Sequence, residues 1–395
     1  MLLNNVKLIN DNQPLHIAIS GEKITAVGNA GKTTGADNFE INFTGAFAFA
    51  GLINSHDHLD FNCFSPLGQR IYNNYTEWGN HIHSAYKEDI NVVLKIPRHL
   101  RTAWGMYKNL LAGVTTVINH GDMLKIENPL ITVYQEPQSL HSVKFQKNWR
   151  WKLNNPFLKN KTCVIHTGEG TDKQSADEIN ELLKWNLLSR KLVGIHAVAM
   201  NRRQAKKFTG IVWCPESNKV LLGSHADIIQ LKENTRVVLG TDSTLTGNWN
   251  IWQHLRLARD LQLVNDAELF AMVTSSAAKL WGMNNGELLP GKDADIVIAK
   301  TESSHTDWDD LFSVNPSTIL MVLHRGKIRM FDKTILPQIN SLYADLRNFA
   351  QVNINGVAKF IEGDLPAVLK AIRKYNPDAG LPPGIFESVK NPGND

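Results

Sequence analysis

Two histidines one residue apart, His56 and His58, end the apolar run of GLINSHDHLDFN at residues 51–62. Alternate side chains of an extended strand share a face, so the two imidazoles project together, a placement that suits a chelating pair. Composition alone does not single them out. With 14 histidines in 395 residues, an HxH arises by chance roughly half a time per chain, and a second one, His81 and His83, stands in EWGNHIHSAY. No apolar strand leads into that second pair, which reads as a loop or helix-surface feature. The first pair has company: His166 ends TCVIH, His196 ends LVGIH and Asp242 ends RVVLGTD, while Glu169 follows His166 by three residues. Four strand ends thus present metal-competent or acid/base side chains. Imidazole nitrogens and a carboxylate oxygen suit Zn²⁺ or Fe²⁺, and a catalytic site must leave one position open for water. Two imidazoles buried together without a metal would cost desolvation with few compensating partners.

The elements that must hold these side chains are legible in the pattern around them. From about residue 46, short apolar strands alternate with helical stretches such as SADEINELLKWNLL and NIWQHLRLARDLQLV. Strand and helix in alternation imply a parallel sheet, and in a barrel of such units the strand ends open into a common mouth. Residues 1–50 alternate polar and apolar in short segments, VKLIN, LHIAIS and KITAVG, and read as small antiparallel strands. GELLPGKDADIVIAK and ILMVLHRGKIRMFD return to that pattern near 286–335 and are expected to complete a small composite β-sandwich. The expected class is therefore α/β, a (β/α)₈ TIM-like barrel over 51–285 with sandwich parts at 1–50 and 286–335. Residues 336–395 read as a helical, then Pro/Gly-rich, C-terminal extension.

Composition narrows the partners. A chain with 43% hydrophobic and 20% charged residues and a net charge of +4 is a globular protein without the basic, aromatic-interleaved groove that nucleic acid requires. A small-molecule substrate is expected, with no nucleic-acid and no membrane partner; a homodimer is left open. The N-terminal MLLNNVKLIN has no leader pattern, and no apolar run reaches membrane-spanning length. Cys63, Cys163 and Cys214 are widely spaced and form no CxxC, which fits a reducing, cytoplasmic setting and excludes a thiolate zinc site.

The ordered set GLINSHDH, GVTTVINHGD, VIHTGEG, GIHAV, CPESNKVLLG, GTDS and GELLPGKDADIVI resembles the amidohydrolase superfamily, in particular its metal-dependent branch of cytosine, guanine and adenosine-type deaminases and triazine hydrolases. The resemblance covers about residues 1–335. It implies His56, His58, His166 and Asp242 as ligands of one Zn²⁺, with Fe²⁺ as the alternative, and Glu169, His196 and Asp242 as the catalytic groups. Asp242 would accept a proton from water, Glu169 would carry it, and His196 would steady the oxygen of the tetrahedral intermediate. The activity implied is hydrolysis of a non-peptide C–N bond, foremost deamination of an amino-substituted nitrogen heterocycle. The alternatives are hydrolysis of a cyclic amide on the same scaffold and a binding protein that retains the barrel.

Two departures stand out. Ala50 occupies the place where the family usually has Pro. More consequentially, only some forty residues separate VTTVINHG from TCVIHTG, where two strands and their helices would have to fit, and only HSVKFQ there reads as a strand. A barrel that is compressed, or that lacks a unit, is expected. The remaining candidates read as structure: His120 and His254 as hydrogen-bonded core residues, Asn218 as a loop holder, Trp213 and Trp249 as packing rather than stacking platforms.

Overall fold

A computed structural model describes residues 1–28, 39–301, 306–339 and 345–386. Residues 29–38 and 302–305, assigned from sequence to the two sandwich parts, and 340–344 and 387–395 of the C-terminal extension lie outside the described residues.

The first five strands are β1 (Leu2–Leu8), β2 (Asp11–Ser20), β3 (Lys23–Gly28), β4 (Glu40–Asn42) and β5 (Ala46–Ala50). The chain crosses Gly51 into β6 (Leu52–Asp57) and continues through β7 (Val114–Asn119), β8 (Thr132–Tyr134), β9 (Gln138–Ser142), β10 (Cys163–Thr167), β11 (Leu192–His196), β12 (Gly210–Trp213) and β13 (Arg236–Leu239). β6, β7 and β8 form one parallel sheet, and β9 to β13, in sequence order, form another. Strands β6, β7, β10 and β11 are buried at every residue, as expected where a parallel sheet is covered on both faces. The expected alternation of strand and helix is present, with helices such as Lys173–Trp185 and Ile251–Asp260 between or after the strands.

The edges of the two sheets meet where the candidate residues lie. His56 O accepts from the backbone N–H groups of Thr241 and Asp242, both at 3.0 Å, and Asp57 bridges Asp242 in parallel register. That approach requires Gly240: a Cβ there would fall 2.7 Å from His56 Cβ. At the other edge, β8 and β9 are separated by only residues 135–137, with no helix between them. The first half of this segment pairs with β7 and the second with β10. One nearly continuous run thus occupies the place of a full strand–helix–strand unit, which accounts for the shortage of residues noted above.

The remaining strands are β14 (Ile296–Lys300), β15 (Ile319–His324), β16 (Lys327–Asp332), β17 (Phe349–Ile354), β18 (Val357–Glu362) and β19 (Ile385–Phe386). They join the N-terminal strands in one hydrogen-bonded path, β19-β17-β18-β16-β15-β14-β5-β1-β2-β3, with β4 on β1. Leu3, Ile17, Ile41, Ile298, Phe331 and Phe360 contribute to a core of its own. The helical reading of 336–395 needs correction. The described part of that stretch has one longer helix, Leu365–Tyr375, but β17 and β18 extend the sheet by pairing antiparallel with each other and, through β18, with β16. The cause is local: Asn355 and Gly356, at φ +50° and +87°, form a tight turn of the kind that reverses a two-stranded hairpin.

Candidate active site

β6 ends by presenting His56 and His58 on either side of Asp57, as the alternation of a strand requires. His166 comes from β10 and Asp242 from just beyond β13. His56 Nε2 lies 3.3 Å from His166 Nε2 and 3.4 Å from Asp242 Oδ1; His58 Nε2 lies 3.4 Å and 3.6 Å from the same two atoms. One potential ligand atom from each of the four residues falls within a 4.8 Å span. The corners of a tetrahedron of 2.0–2.1 Å bonds are about 3.3–3.4 Å apart. The spacing and the donor types therefore fit a divalent metal.

Supporting bonds aim these atoms. His166 Nδ1 donates to His141 O at 2.7 Å, which leaves Nε2 bare and facing its neighbours. Asp242 Oδ2 accepts from the hydroxyls of Ser217 at 2.8 Å and Thr246 at 3.1 Å, while Oδ1 faces the imidazoles. Asp242 sits at φ +60° and His196 at φ +69°, left-handed conformations that a side-chain-bearing residue adopts at a cost. Burial opposes the Asp242 charge, yet bonding and charge from His56, followed by His196 and His58, hold its carboxyl well below the usual range.

Glu169 and His196 stand beside this cluster. His196 Nε2 lies 3.6 Å from Glu169 Oε1, and Asn218 Nδ2 donates to His196 Nδ1 at 3.0 Å. Asn218 is thus more than a loop holder: it fixes the tautomer in which His196 Nε2 carries the proton. Burial pushes the His196 pKa down to about 3, so the ring is neutral at physiological pH. Burial, then the charges of Asp242 and Glu178, push the Glu169 carboxyl well above its ordinary value, which favours its protonated form.

Behind the histidines, Asp57 is fully buried with Lys108 Nζ 3.0 Å away and the amides of Asn62 and Asn109 donating at 2.9 and 2.8 Å. Neither Lys108 nor the hydroxyls of Ser217 and Thr246 was picked out from the sequence. A helical lysine and small hydroxyl residues in turns carry no signal of their own until the fold brings them to a carboxylate.

The other histidines fall as follows. His81 and His83 lie on the helix Tyr75–Ala85, His83 exposed and His81 bonded to the Tyr72 hydroxyl at 2.6 Å. His254 is buried and donates from Nε2 to Asn248 O at 2.8 Å. His120 donates from Nε2 to Leu140 O at 3.1 Å, but its ring centroid is 4.5 Å from that of His166, so this core residue also walls the cluster. Trp213 is fully buried and Trp249 packs near Trp104 with centroids 6.3 Å apart.

Residues 159–329 match the model of the Amidohydrolase family. The chain is similar to that family over this stretch, which is somewhat under half of its length. Among curated proteins, the chain is similar to a 5'-deoxyadenosine deaminase of Methanothermobacter thermautotrophicus, 22% identical over 383 residues that cover 80% of this chain and 89% of the relative. Among solved structures it is similar to an adenosine deaminase from Xanthomonas campestris with bound zinc, at TM-score 0.71 and 16% identity over 95% of this chain and 97% of the other. A zinc complex of an atrazine chlorohydrolase from Arthrobacter aurescens matches at TM-score 0.63 and 17% identity over 83% and 94%. At these identities the solved structures speak to a shared fold, which spans nearly the whole chain in the first case.

Proposed function

We propose that this enzyme hydrolytically deaminates an amino-substituted nitrogen heterocycle, with adenosine-type nucleosides as the first class to test, using one zinc ion held by His56, His58, His166 and Asp242. The observation that carries the reading is the convergence of those four side chains beside Glu169 and a His196 whose Nδ1 accepts from Asn218. The similarity to a 5'-deoxyadenosine deaminase supports adenosine-type nucleosides as that first class. The two parallel sheets are read with them as one compressed barrel, and the long antiparallel sheet as a composite sandwich beside it.

A divalent metal in such a site supplies Lewis acidity that lowers the pKa of water from 15.7 to about 7. The chain's own groups account for the rest. Asp242 is placed to take a proton from the attacking water. Glu169, whose protonated form burial and the neighbouring carboxylates favour, delivers a proton to the ring nitrogen next to the reacting carbon. His196 donates its Nε2–H to the oxygen of the tetrahedral intermediate, holding the attacking water as it loses its proton to Asp242 and bonds to carbon. Asp242 then returns the water-derived proton to the amino group, the C–N bond breaks to release ammonia, and the hydroxyl proton passes to Glu169 as the ring carbonyl forms, restoring both carboxyl groups.

An ammonia-release screen of the metal-loaded protein over aminopurine nucleosides, aminopyrimidines and pterins tests this reading. Ammonia released in equal amount to carbonyl product is the expected result. Turnover confined to cyclic amides, with no ammonia from any amino-heterocycle, would replace deamination by ring-opening hydrolysis.

A further inference from the structure

The connection between β9 and β10 carries a surface that the site does not use. Contrary to the expectation that no basic cluster is interleaved with aromatics, its stretch KFQKNWRWKLNNPFLKNK, 144–161, contains six cations among four aromatic residues and no acidic residue, more positive charge than the net +4 of the whole chain. All six cations are exposed. Among the described residues, only Arg150 and Lys161 of the six form ion pairs with a carboxylate, with Glu181 and Glu136 respectively. Large apolar side chains stand among them: Trp151 is 83% exposed and Phe157 94%. Leu187, 67% exposed, is tied to the same place by its N–H bond to Asn154 Oδ1 at 3.0 Å. Grouped apolar side chains left in water mark an interaction surface.

Charge and exposure select the partner. A symmetric contact with a second copy would set this basic face against itself, and lysine is depleted from protein interfaces. Single-stranded nucleic acid stacks its bases on open aromatic faces along a groove. Here the guanidinium of Arg150 lies over the rings of Trp149 and Trp185, 5.4 and 4.7 Å from their centroids, and side chains as exposed as Trp151 and Phe157 line no groove. Trp and Phe standing outward among lysines are the combination that enters the headgroup boundary of an anionic bilayer.

We propose that the face formed by residues 144–161 with Leu187 docks peripherally on an anionic lipid surface. Trp151 and Phe157 enter the headgroup boundary, and Lys147, Lys152 and Lys159 face the lipid phosphates. The expectation of no membrane partner concerned segments that cross a membrane. No helix among the described residues is long and apolar enough to cross a membrane, and peripheral docking needs none.

Co-sedimentation of the full chain with vesicles tests the assignment, using phosphatidylcholine alone and phosphatidylcholine mixed with phosphatidylglycerol. The expected result is binding to the anionic vesicles about 10-fold or more above the neutral ones, largely lost in about 0.5 M salt. The Trp151→Ala/Phe157→Ala double variant and the Lys147→Glu/Lys152→Glu/Lys159→Glu triple variant should each weaken it by about 10-fold or more. Both should keep the wild-type melting temperature, since the altered side chains are exposed. Wild-type protein that ignores anionic vesicles, or binds neutral ones equally well, overturns the proposal. So does a dimer, seen by light scattering without lipid, that the double variant dissolves, because the face would then belong to a second copy. Binding to a single-stranded oligonucleotide with none to vesicles overturns it in favour of nucleic acid.

Discussion

Asn218 donates from Nδ2 to His196 Nδ1 at 3.0 Å, and this bond leaves the His196 Nε2 proton on the side of Glu169 Oε1, 3.6 Å away. A neutral imidazole can donate from only one nitrogen, so the amide decides which one meets the substrate. Asn218→Ala should lower kcat by about 10- to 100-fold with metal content retained, since the partner of a site histidine typically has an effect of that size. Steady-state kinetics with metal analysis checks this; unchanged kcat would mean that His196 needs no partner to hold its tautomer.

The hydroxyls of Ser217 and Thr246 both bond Asp242 Oδ2 and so direct Oδ1 toward the imidazoles. Hydrogen bonds to a charged group contribute about 1.5–3 kcal/mol. Ser217→Ala with Thr246→Val should weaken metal binding by about 10- to 100-fold, read by competition with a chromophoric chelator. An unaltered affinity would show that Asp242 keeps its orientation through its backbone alone.

Lys108 is buried against the equally buried Asp57, which stands between His56 and His58. Removing one partner leaves an uncompensated charge, at a cost of about 3–5 kcal/mol. Lys108→Met should therefore destabilise the protein by that order in chemical denaturation, and adding Asp57→Asn should recover much of the loss. A double variant no more stable than the single one would show that the pair's charges are not what matters.

Glu178 accepts from the Tyr75 hydroxyl at 2.7 Å, and burial raises its pKa to about 7. A carboxyl with a raised folded-state pKa favours the fold below its unfolded value near 4.5, and that stabilisation is lost as pH rises to about 7. Glu178→Gln, which stays neutral, should gain on wild type by roughly 2–3 kcal/mol between pH 4.5 and pH 8, at about 1.4 kcal/mol per pKa unit. Denaturation at the two pH values measures it, and a constant difference between the proteins would contradict it.

Which of these features the sequence discloses follows from physical range. His56 and His58 are legible because strand alternation is local and an apolar run leads straight into them. The shortage of residues before Cys163 announced a compressed unit, but not that Thr132–Ser142 would divide its pairing between β7 and β10, since pairing partners are set by the whole sheet. The turn at Asn355 and Gly356 was a local signal, yet the short strands around it were outweighed by the helical pattern of Leu365–Tyr375. Asn218, Ser217, Thr246 and Lys108 act through neighbours 22, 25, 4 and 51 positions away. Nothing in their immediate sequence records those partners.

Glu169→Gln tests the central claim most directly, with metal content and single-turnover ammonia release measured on one preparation. The amide keeps the shape of the side chain but cannot carry a proton, and a positioned acid/base group contributes about 10² to 10⁴ in rate. The account predicts full metal content with a rate lowered by that factor. A variant that loses its metal would make Glu169 a ligand, and one that keeps its full rate would route the proton through another group; either result contradicts the account.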